Sequence, residues 1–218
     1  MYISEIKQNW KIEFSARSFK WQSITGLIIA VVILSCLPFF FQYIEKREGF
    51  TINDTFLQNL PVKNMSVPIF ITIWCIGLIT AFRVFTDPTI FINFLWSFIF
   101  LTLFRMATIT LTPLNPPDKI IPLIDPLTNM VYGKSFVSKD LFFSGHTAYM
   151  FVIFFCLRNK VEKILALAAT FIVGALVLVQ HVHYTIDVAI APLFAFLAFY
   201  AATKITKRPP GSPANQLK

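Results

Sequence analysis

One segment decides how the chain folds, and it reads KDLFFSGHTAYMFVIFFCL (residues 139–157). From Phe142 onward the segment is apolar enough to begin a membrane-spanning helix. The polar letters SGHT, residues 144–147, nevertheless stand at the start of that helix. An ionisable ring is expensive to place in a membrane, where leucine or phenylalanine would cost less. The segment therefore predicts a transmembrane helix whose first turn carries a functional group.

The composition is that of a membrane protein. Of the 218 residues, 56% are hydrophobic and 14% are charged, against about a quarter charged in soluble domains. The length suits one helical bundle. The net charge of +8 comes from basic residues spread over tails and loops, so we do not expect nucleic acid to be a partner. Few glycines and many lysines, isoleucines and phenylalanines indicate a bacterial inner membrane.

The hydropathy pattern predicts an all-α, polytopic membrane protein with a six-transmembrane-helix bundle. The expected spans are residues 21–43, 67–85, 90–111, 142–157, 164–180 and 184–203. The first run has no small-residue cleavage site, so we interpret it as a retained helix. The expected domains are a cytoplasmic N-terminal segment (1–20), a catalytic membrane domain (21–203) and a disordered, basic cytoplasmic tail (204–218).

The cysteines predict neither a disulfide nor a metal site. Cys36, Cys75 and Cys156 each fall inside an apolar run, and an odd number without Cys/His metal spacing argues against both. We expect them to be small apolar packing residues. We predict no metal and no cofactor.

The lysines and arginines predict the orientation, because cytoplasmic loops are enriched in them. With both termini inside, the inner side holds Lys7, Lys11, Arg17, Lys20, Arg83, Arg158, Lys160, Lys163, Lys204, Lys207, Arg208 and Lys218, and the outer side holds half as many, namely Lys46, Arg47, Lys63, Lys119, Lys134 and Lys139. All three histidines then lie at the outer face. The proline-rich connection 112–141 lies there too and is not expected to be a long helix.

Two polar groups stand out at that face. His183 and Asp187 are four residues apart, so they share a helix face if span six is already helical there. Such a carboxylate orients an imidazole for attack, although a structural hydrogen bond at a helix mouth has the same spacing. Ser144, Gly145 and His146 open span four, either as a capped interfacial helix with a hydrated histidine or as an anion site with a proton donor.

Arg105, near the outer end of span three, either snorkels to lipid headgroups or binds phosphate. Thr108 and Thr112 either line the same wall or bond to backbone carbonyls. His181 is a candidate for substrate contact or for a structural role in the loop. An oriented imidazole, a second imidazole and an arginine together suffice for phosphoryl transfer through a phosphohistidine.

These motifs resemble the type 2 phosphatidic acid phosphatase (PAP2) superfamily, and more closely its sphingomyelin synthase branch. The resemblance rests on DLFFSGHT, on HVHYTIDV (181–188) and on RMATITLTPLNP (105–116), and it covers residues 91–200. Phe143 replaces the proline of the phosphatase motif, and Leu176 and Val177 replace its Ser-Arg pair. The synthase branch likewise lacks that Ser-Arg pair. The lysine-rich first phosphatase motif is not evident, so Arg105 would take its place.

The resemblance implies a catalytic triad of His146, His183 and Asp187. In it, His183 attacks phosphorus, Asp187 orients His183, and His146 exchanges the proton. Substrate-binding candidates are Arg105, Ser144, Gly145, Asp140 and His181. The partners would be membrane lipids, with a glycerophospholipid as donor and a ceramide or diacylglycerol-like lipid as acceptor. With water as acceptor the protein would be a lipid phosphatase or phospholipase C. A non-catalytic lipid-binding or transport protein is the alternative of another class.

Overall fold

A computed structural model of the chain describes residues 2–123 and 137–206. The disordered tail predicted for residues 204–218 therefore lies almost wholly outside the described residues, as does the middle of the 112–141 connection. The parts of that connection that are described, 113–123 and 137–141, form no helix.

The described residues fold into helices, with one isolated β-bridge between Phe50 and Leu114. The helices are α1 (Tyr2–Ser15), α2 (Arg17–Glu45), α3 (Thr55–Gln58), α4 (Ser66–Thr86), α5 (Pro88–Leu111), α6 (Gly145–Cys156), α7 (Lys160–Val179) and α8 (Thr185–Ile205). Five of them, α2, α4, α5, α7 and α8, are long and apolar enough to cross a membrane. The chain is an all-α integral membrane protein that crosses the bilayer several times.

The predicted fourth span corresponds to α6, which is apolar but has only 12 residues. At about 1.5 Å per residue it is roughly 18 Å long, shorter than the ~30 Å hydrocarbon layer. It begins at its cap, Ser144, and ends at Leu157, which has an extended backbone. Polar caps also start the helices on the opposite side of the bundle, where Asp87 caps α5 ahead of Pro88 and Asn159 caps α7.

Two features of the N-terminal region differ from the sequence prediction. Residues 2–15 form helix α1, although their mixed polarity gave no strong signal. Trp10 explains why α1 is held, since its indole N–H donates to Phe85 O at 2.8 Å and its ring packs on Phe91. Helix α2 begins at Arg17, earlier than the predicted residue 21, because the helix continues past its apolar stretch.

Helix α6 is the centre of the bundle and packs against α5, α7 and α8. Its neighbour α8 presents a stripe of fully buried alanines at helical spacing, Ala191, Ala195, Ala198 and Ala202. Small side chains allow helices to approach closely in a membrane. Helix α4 packs on α7 and α5, and α2 packs on α5.

The three cysteines are free, as expected, but only one of them is buried. Cys156 lies in the core, whereas Cys36 and Cys75 lie on the exposed surfaces of α2 and α4. Those surfaces face the bilayer in a spanning helix.

The segment that joins α2 to α4, residues 46–65, ties together one end of the bundle. We call it the α2–α4 connection. Its Phe50 exchanges backbone hydrogen bonds with Pro113 and Asn115, and its Lys63 N–H donates to Val179 O at 3.1 Å. Just before it, Glu45 accepts hydrogen bonds from Ser138 and Lys139. These contacts gather the ends of α2, α5 and α7 and the starts of α4, α6 and α8 at one end of the molecule.

Candidate active site

The carboxylate of Asp187 holds the imidazole of His183. His183 Nδ1 lies 3.3 Å from Asp187 Oδ2, and the same oxygen accepts the Tyr184 N–H at 3.1 Å. Both side chains are buried, and Asp187 is 0% exposed. A carboxylate at this position favours the tautomer with the proton on Nδ1 and leaves Nε2 for chemistry.

The two residues meet across a helix cap and do not share a helix face. Helix α8 begins at Thr185, so His183 precedes it and Asp187 is its third residue. Tyr184 has an extended backbone, with φ −73° and ψ 157°, and it carries His183 over the end of the helix. From the first turn of α8, the Asp187 side chain reaches back to the His183 ring. An acidic side chain in the first turn also stabilises the helix through its dipole.

Helix α6 begins beside this pair. Ser144 caps it by accepting the Thr147 N–H at 3.4 Å, as the sequence predicted. The Ser144 N–H donates in turn to Asp187 O at 2.9 Å, which joins the start of α6 to the first turn of α8. His146 is the second residue of α6; its ring is half-buried and stands edge-on to Phe70, with 6.1 Å between centroids. The two histidines therefore lie at the starts of two packed helices.

Arg105 is buried, so the alternative that it snorkels to headgroups is wrong. Its side chain points into the protein, where Nη1 donates to Phe143 O at 2.5 Å and Nη2 to Asp140 Oδ1 at 2.5 Å. Arg105 is 7% exposed. Asp140, another predicted site residue, is thus the ion-pair partner of Arg105. Together they fix the segment that leads into α6.

That segment contains a strained turn. Phe142 and Phe143 have φ of 70° and 56°, a left-handed conformation that costs about 1–3 kcal/mol per non-glycine residue. Phe143 is held by Arg105 and by stacking on Phe194, with 4.4 Å between ring centroids. Gly145 follows the turn because a Cβ there would lie 2.7 Å from Arg105 Cζ.

The remaining predicted residues occupy nearby turns. His181 is buried in the turn between α7 and α8, also with a left-handed φ of 58°, and its Nε2 has no hydrogen-bond partner among the described residues. Thr108 donates to the backbone oxygens of Arg105 and Phe142, so it follows the carbonyl-bonding alternative. Thr112 is the residue at which α5 ends.

Sequence reasoning missed the partners that the first 90 residues supply. Asp54 accepts the N–H of Thr185 at 2.6 Å and its hydroxyl at 3.0 Å. Burial opposes ionisation of Asp54, but hydrogen bonds from Leu57 and Thr185 together hold its pKa below the ordinary value of 3.8. A further missed partner lies later in the chain, where Asn115 O accepts the Tyr184 hydroxyl at 2.9 Å. The only sequence signal for Asp54 is its position as the cap of the short helix α3.

In residues 2–123 and 137–206, no group of three or more histidine, cysteine, aspartate or glutamate side chains is arranged to hold a metal ion.

Comparison with known proteins finds one family that matches part of the chain. Residues 139–204 match a family described as PAP2 superfamily C-terminal. The matched region includes His146, His183 and Asp187 and runs from just before α6 to near the end of α8. No curated protein and no solved structure matches the chain. Members of this superfamily are typically phosphatases or phosphotransferases. The matched region is 66 of the 218 residues, and over it the chain is similar to the PAP2 superfamily.

Proposed function

We propose that the protein is a lipid phosphotransferase of the sphingomyelin synthase type. It moves a phospho-headgroup from a glycerophospholipid to the hydroxyl of a ceramide-like or diacylglycerol-like acceptor. One observation carries the proposal: the buried His183–Asp187 pair is joined, through the Ser144 N–H, to the turn of α6 that bears His146. The motifs DLFFSGHT and HVHYTIDV support the synthase branch within the superfamily.

In the first step, His183 Nε2 attacks the phosphorus of the donor lipid. A P–N bond forms, the P–O bond to diacylglycerol breaks, and His146 gives its proton to the departing oxygen. Asp187 stabilises the positive charge that develops on the His183 ring. The products of this step are diacylglycerol and a phosphohistidine that carries the headgroup.

In the second step, the acceptor hydroxyl attacks the same phosphorus. His146, now neutral, takes the hydroxyl proton, the P–O bond to the acceptor forms, and the P–N bond to His183 breaks. Both histidines return to their starting protonation states. The cycle consumes no water and needs no external acid or base.

The phosphate oxygens are bound by groups around the start of α6. Ser144 and Gly145 bring the helix N-terminus to the site, where backbone N–H groups and the helix dipole favour an anion. Arg105 contributes positive charge, and Asp140 holds its guanidinium in place. His181 contributes a ring from the turn before α8.

The burial of the catalytic pair favours a lipid acceptor over water. His183 is 5% exposed and Asp187 is inaccessible. A phosphohistidine formed there is shielded from bulk water, so a hydroxyl brought by a bound lipid has the advantage. We place the site at the outer membrane face, with both termini in the cytoplasm, on the distribution of lysine and arginine.

Purified protein tests the proposal. We would supply labelled phosphatidylcholine and phosphatidylethanolamine, with and without ceramide, and identify the products by mass spectrometry. Ceramide-dependent headgroup transfer is the expected result. Release of phosphate or phosphoalcohol without ceramide would show that the protein is a hydrolase and not a transferase. Lipid binding without turnover, unchanged in His183→Ala, would identify a non-catalytic binder.

A further inference from the structure

We infer that Asp54 is a positioning residue for the His183–Asp187 pair. Asp54 lies in the α2–α4 connection, 131 residues before the threonine that it holds. This inference rests on the proposed function, because that function makes His183 and Asp187 catalytic. The hydrogen bonds that carry the inference do not depend on which lipid reacts.

Asp54 caps α8 from another part of the chain. Its Oδ2 accepts the Thr185 N–H at 2.6 Å and its Oδ1 accepts the Thr185 hydroxyl at 3.0 Å. Thr185 is the first residue of α8, and the first N–H groups of a helix have no acceptor within it. The residue in the local cap position, Tyr184, uses its hydroxyl to reach Asn115 O instead. Locally, Asp187 accepts only the backbone N–H of Tyr184, and Asp54 supplies the acceptor for the next N–H, that of Thr185.

The capped residue lies between the two members of the pair. Thr185 follows His183 by two residues and precedes Asp187 by two, and the intervening Tyr184 N–H shares Asp187 Oδ2 with the imidazole. The His183–Asp187 distance of 3.3 Å is already at the long end of the hydrogen-bonding range. A displacement of Thr185 by about 1 Å is therefore enough to separate the imidazole from the carboxylate.

Asp54 is itself held by a hydrogen bond within its own segment. It caps α3, where its Oδ1 accepts the Leu57 N–H at 3.0 Å. Leu57 is buried in a cluster that includes Leu141 and Tyr184. Asp54 is thus joined through Leu57 to the same apolar cluster that contains Tyr184, the residue between His183 and Thr185.

The test uses Asp54→Ala and Asp54→Asn in the full-length protein, with Asn53→Ala as the matched control. Asn53 is exposed and its side-chain oxygen accepts a hydrogen bond from Gln58. The chain has three histidines, so ring-labelled histidine gives an NMR spectrum that single substitutions can assign. The rate of headgroup transfer and the Tm are measured on the same samples.

In Asp54→Ala, we expect the His183 ring resonances to shift towards their position in Asp187→Asn. We also expect kcat to fall roughly 10- to 100-fold with little change in KM, because the reacting ring is misplaced while lipid contacts remain. Asp54→Asn should lie between Ala and wild type, since its amide oxygen still accepts the Thr185 N–H. Asn53→Ala should match wild type in both measurements.

Wild-type His183 resonances in folded Asp54→Ala would overturn the inference, even if the Tm were lower. If Asp54→Ala does not fold, Thr185→Val carries the test, because it removes only the hydroxyl bond to Asp54. A His183 shift in a protein that turns over no lipid would uphold the positioning role and reject the proposed reaction. If Asp54→Ala transfers headgroups and its His183 resonances are unshifted, the positioning role is rejected and the proposed reaction is upheld.

Discussion

Asp187 serves two partners with a single oxygen. Its Oδ2 accepts both the Tyr184 N–H and the His183 ring, while Oδ1 is buried with no hydrogen-bond partner in the described part of the chain. Buried polar atoms without a partner are rare in folded proteins and call for a specific explanation. In the proposed reaction, the Asp187 carboxylate stabilises the positive charge that develops on the His183 ring.

Loss of either member of the pair should nearly abolish activity. We expect His183→Ala and Asp187→Asn each to lower the rate of headgroup transfer about 100-fold or more, because the nucleophile or its orienting charge is gone. His181→Ala should lose less. Rates are to be measured on samples with equal folded fractions. An active His183→Ala protein would refute the assignment of the nucleophile.

Gly145 should tolerate no side chain, since its hypothetical Cβ meets a guanidinium that is already held by two partners. We expect Gly145→Ala to push Arg105 away from Phe143 O and Asp140, and so to lower both the Tm and the transfer rate. The matched control is Gly77→Ala, where an added Cβ meets nothing within 4 Å. Equal behaviour of the two variants would show that the contact with Arg105 is unimportant.

The sequence predicted those site features that depend on short spacing. The Ser144 cap and the approach of Asp187 to His183 follow from residues a few positions apart. The contacts of Arg105 with Phe143 and of Asp54 with Thr185 span 38 and 131 residues. No local pattern encodes such contacts, so the buried position of Arg105 and the whole role of Asp54 required the folded structure.

Among the helices, the packing of α8 does most to bring the site together. Ala191, Ala195 and Ala198 of its alanine stripe lie in the same core cluster as Ala148 of α6 and Leu101 of α5. Because α8 packs closely on α6, the first turns of the two helices are near enough to form the Ser144–Asp187 hydrogen bond. The stripe therefore affects the position of the site although none of its members belongs to the site.

Enlarging one alanine of the stripe should destabilise the bundle. We expect Ala195→Leu to cost about 1–3 kcal/mol through overpacking, seen as a lower Tm in detergent. Ala189→Leu is the control, because Ala189 is exposed on the same helix. A Tm for Ala195→Leu equal to that of Ala189→Leu would contradict the close packing of α8.

Hydropathy predicted the long helices well, because about 20 consecutive apolar residues leave few alternatives in a membrane. It was less informative where the apolar signal is weak or short. Helix α1 is held by the aromatic contacts of Trp10, and α6 begins at a cap within an apolar segment. Both boundaries depend on specific partners that average hydropathy does not register.

For the molecule as a whole, the charge distribution predicts which end faces outward. Thr55, exposed on α3, lies at the end that carries the site, and Ser18, exposed on α2, lies near the opposite end. In intact cells, a membrane-impermeant thiol reagent should label Thr55→Cys but not Ser18→Cys. The native cysteines are replaced by alanine for this measurement. Labelling of Ser18→Cys alone would reverse the proposed orientation.

The cap on α8 also sets the order in which the protein can be completed during synthesis. Asp54 leaves the ribosome 131 residues before Thr185, a delay on the order of 10 s at cellular translation rates. Until the last helix inserts, Asp54 and Ser144 lack the partners that join them to α8. A nascent chain stalled before residue 185 has His146 and His183 but lacks α8, so the proposed lipid chemistry can begin only after α8 has inserted.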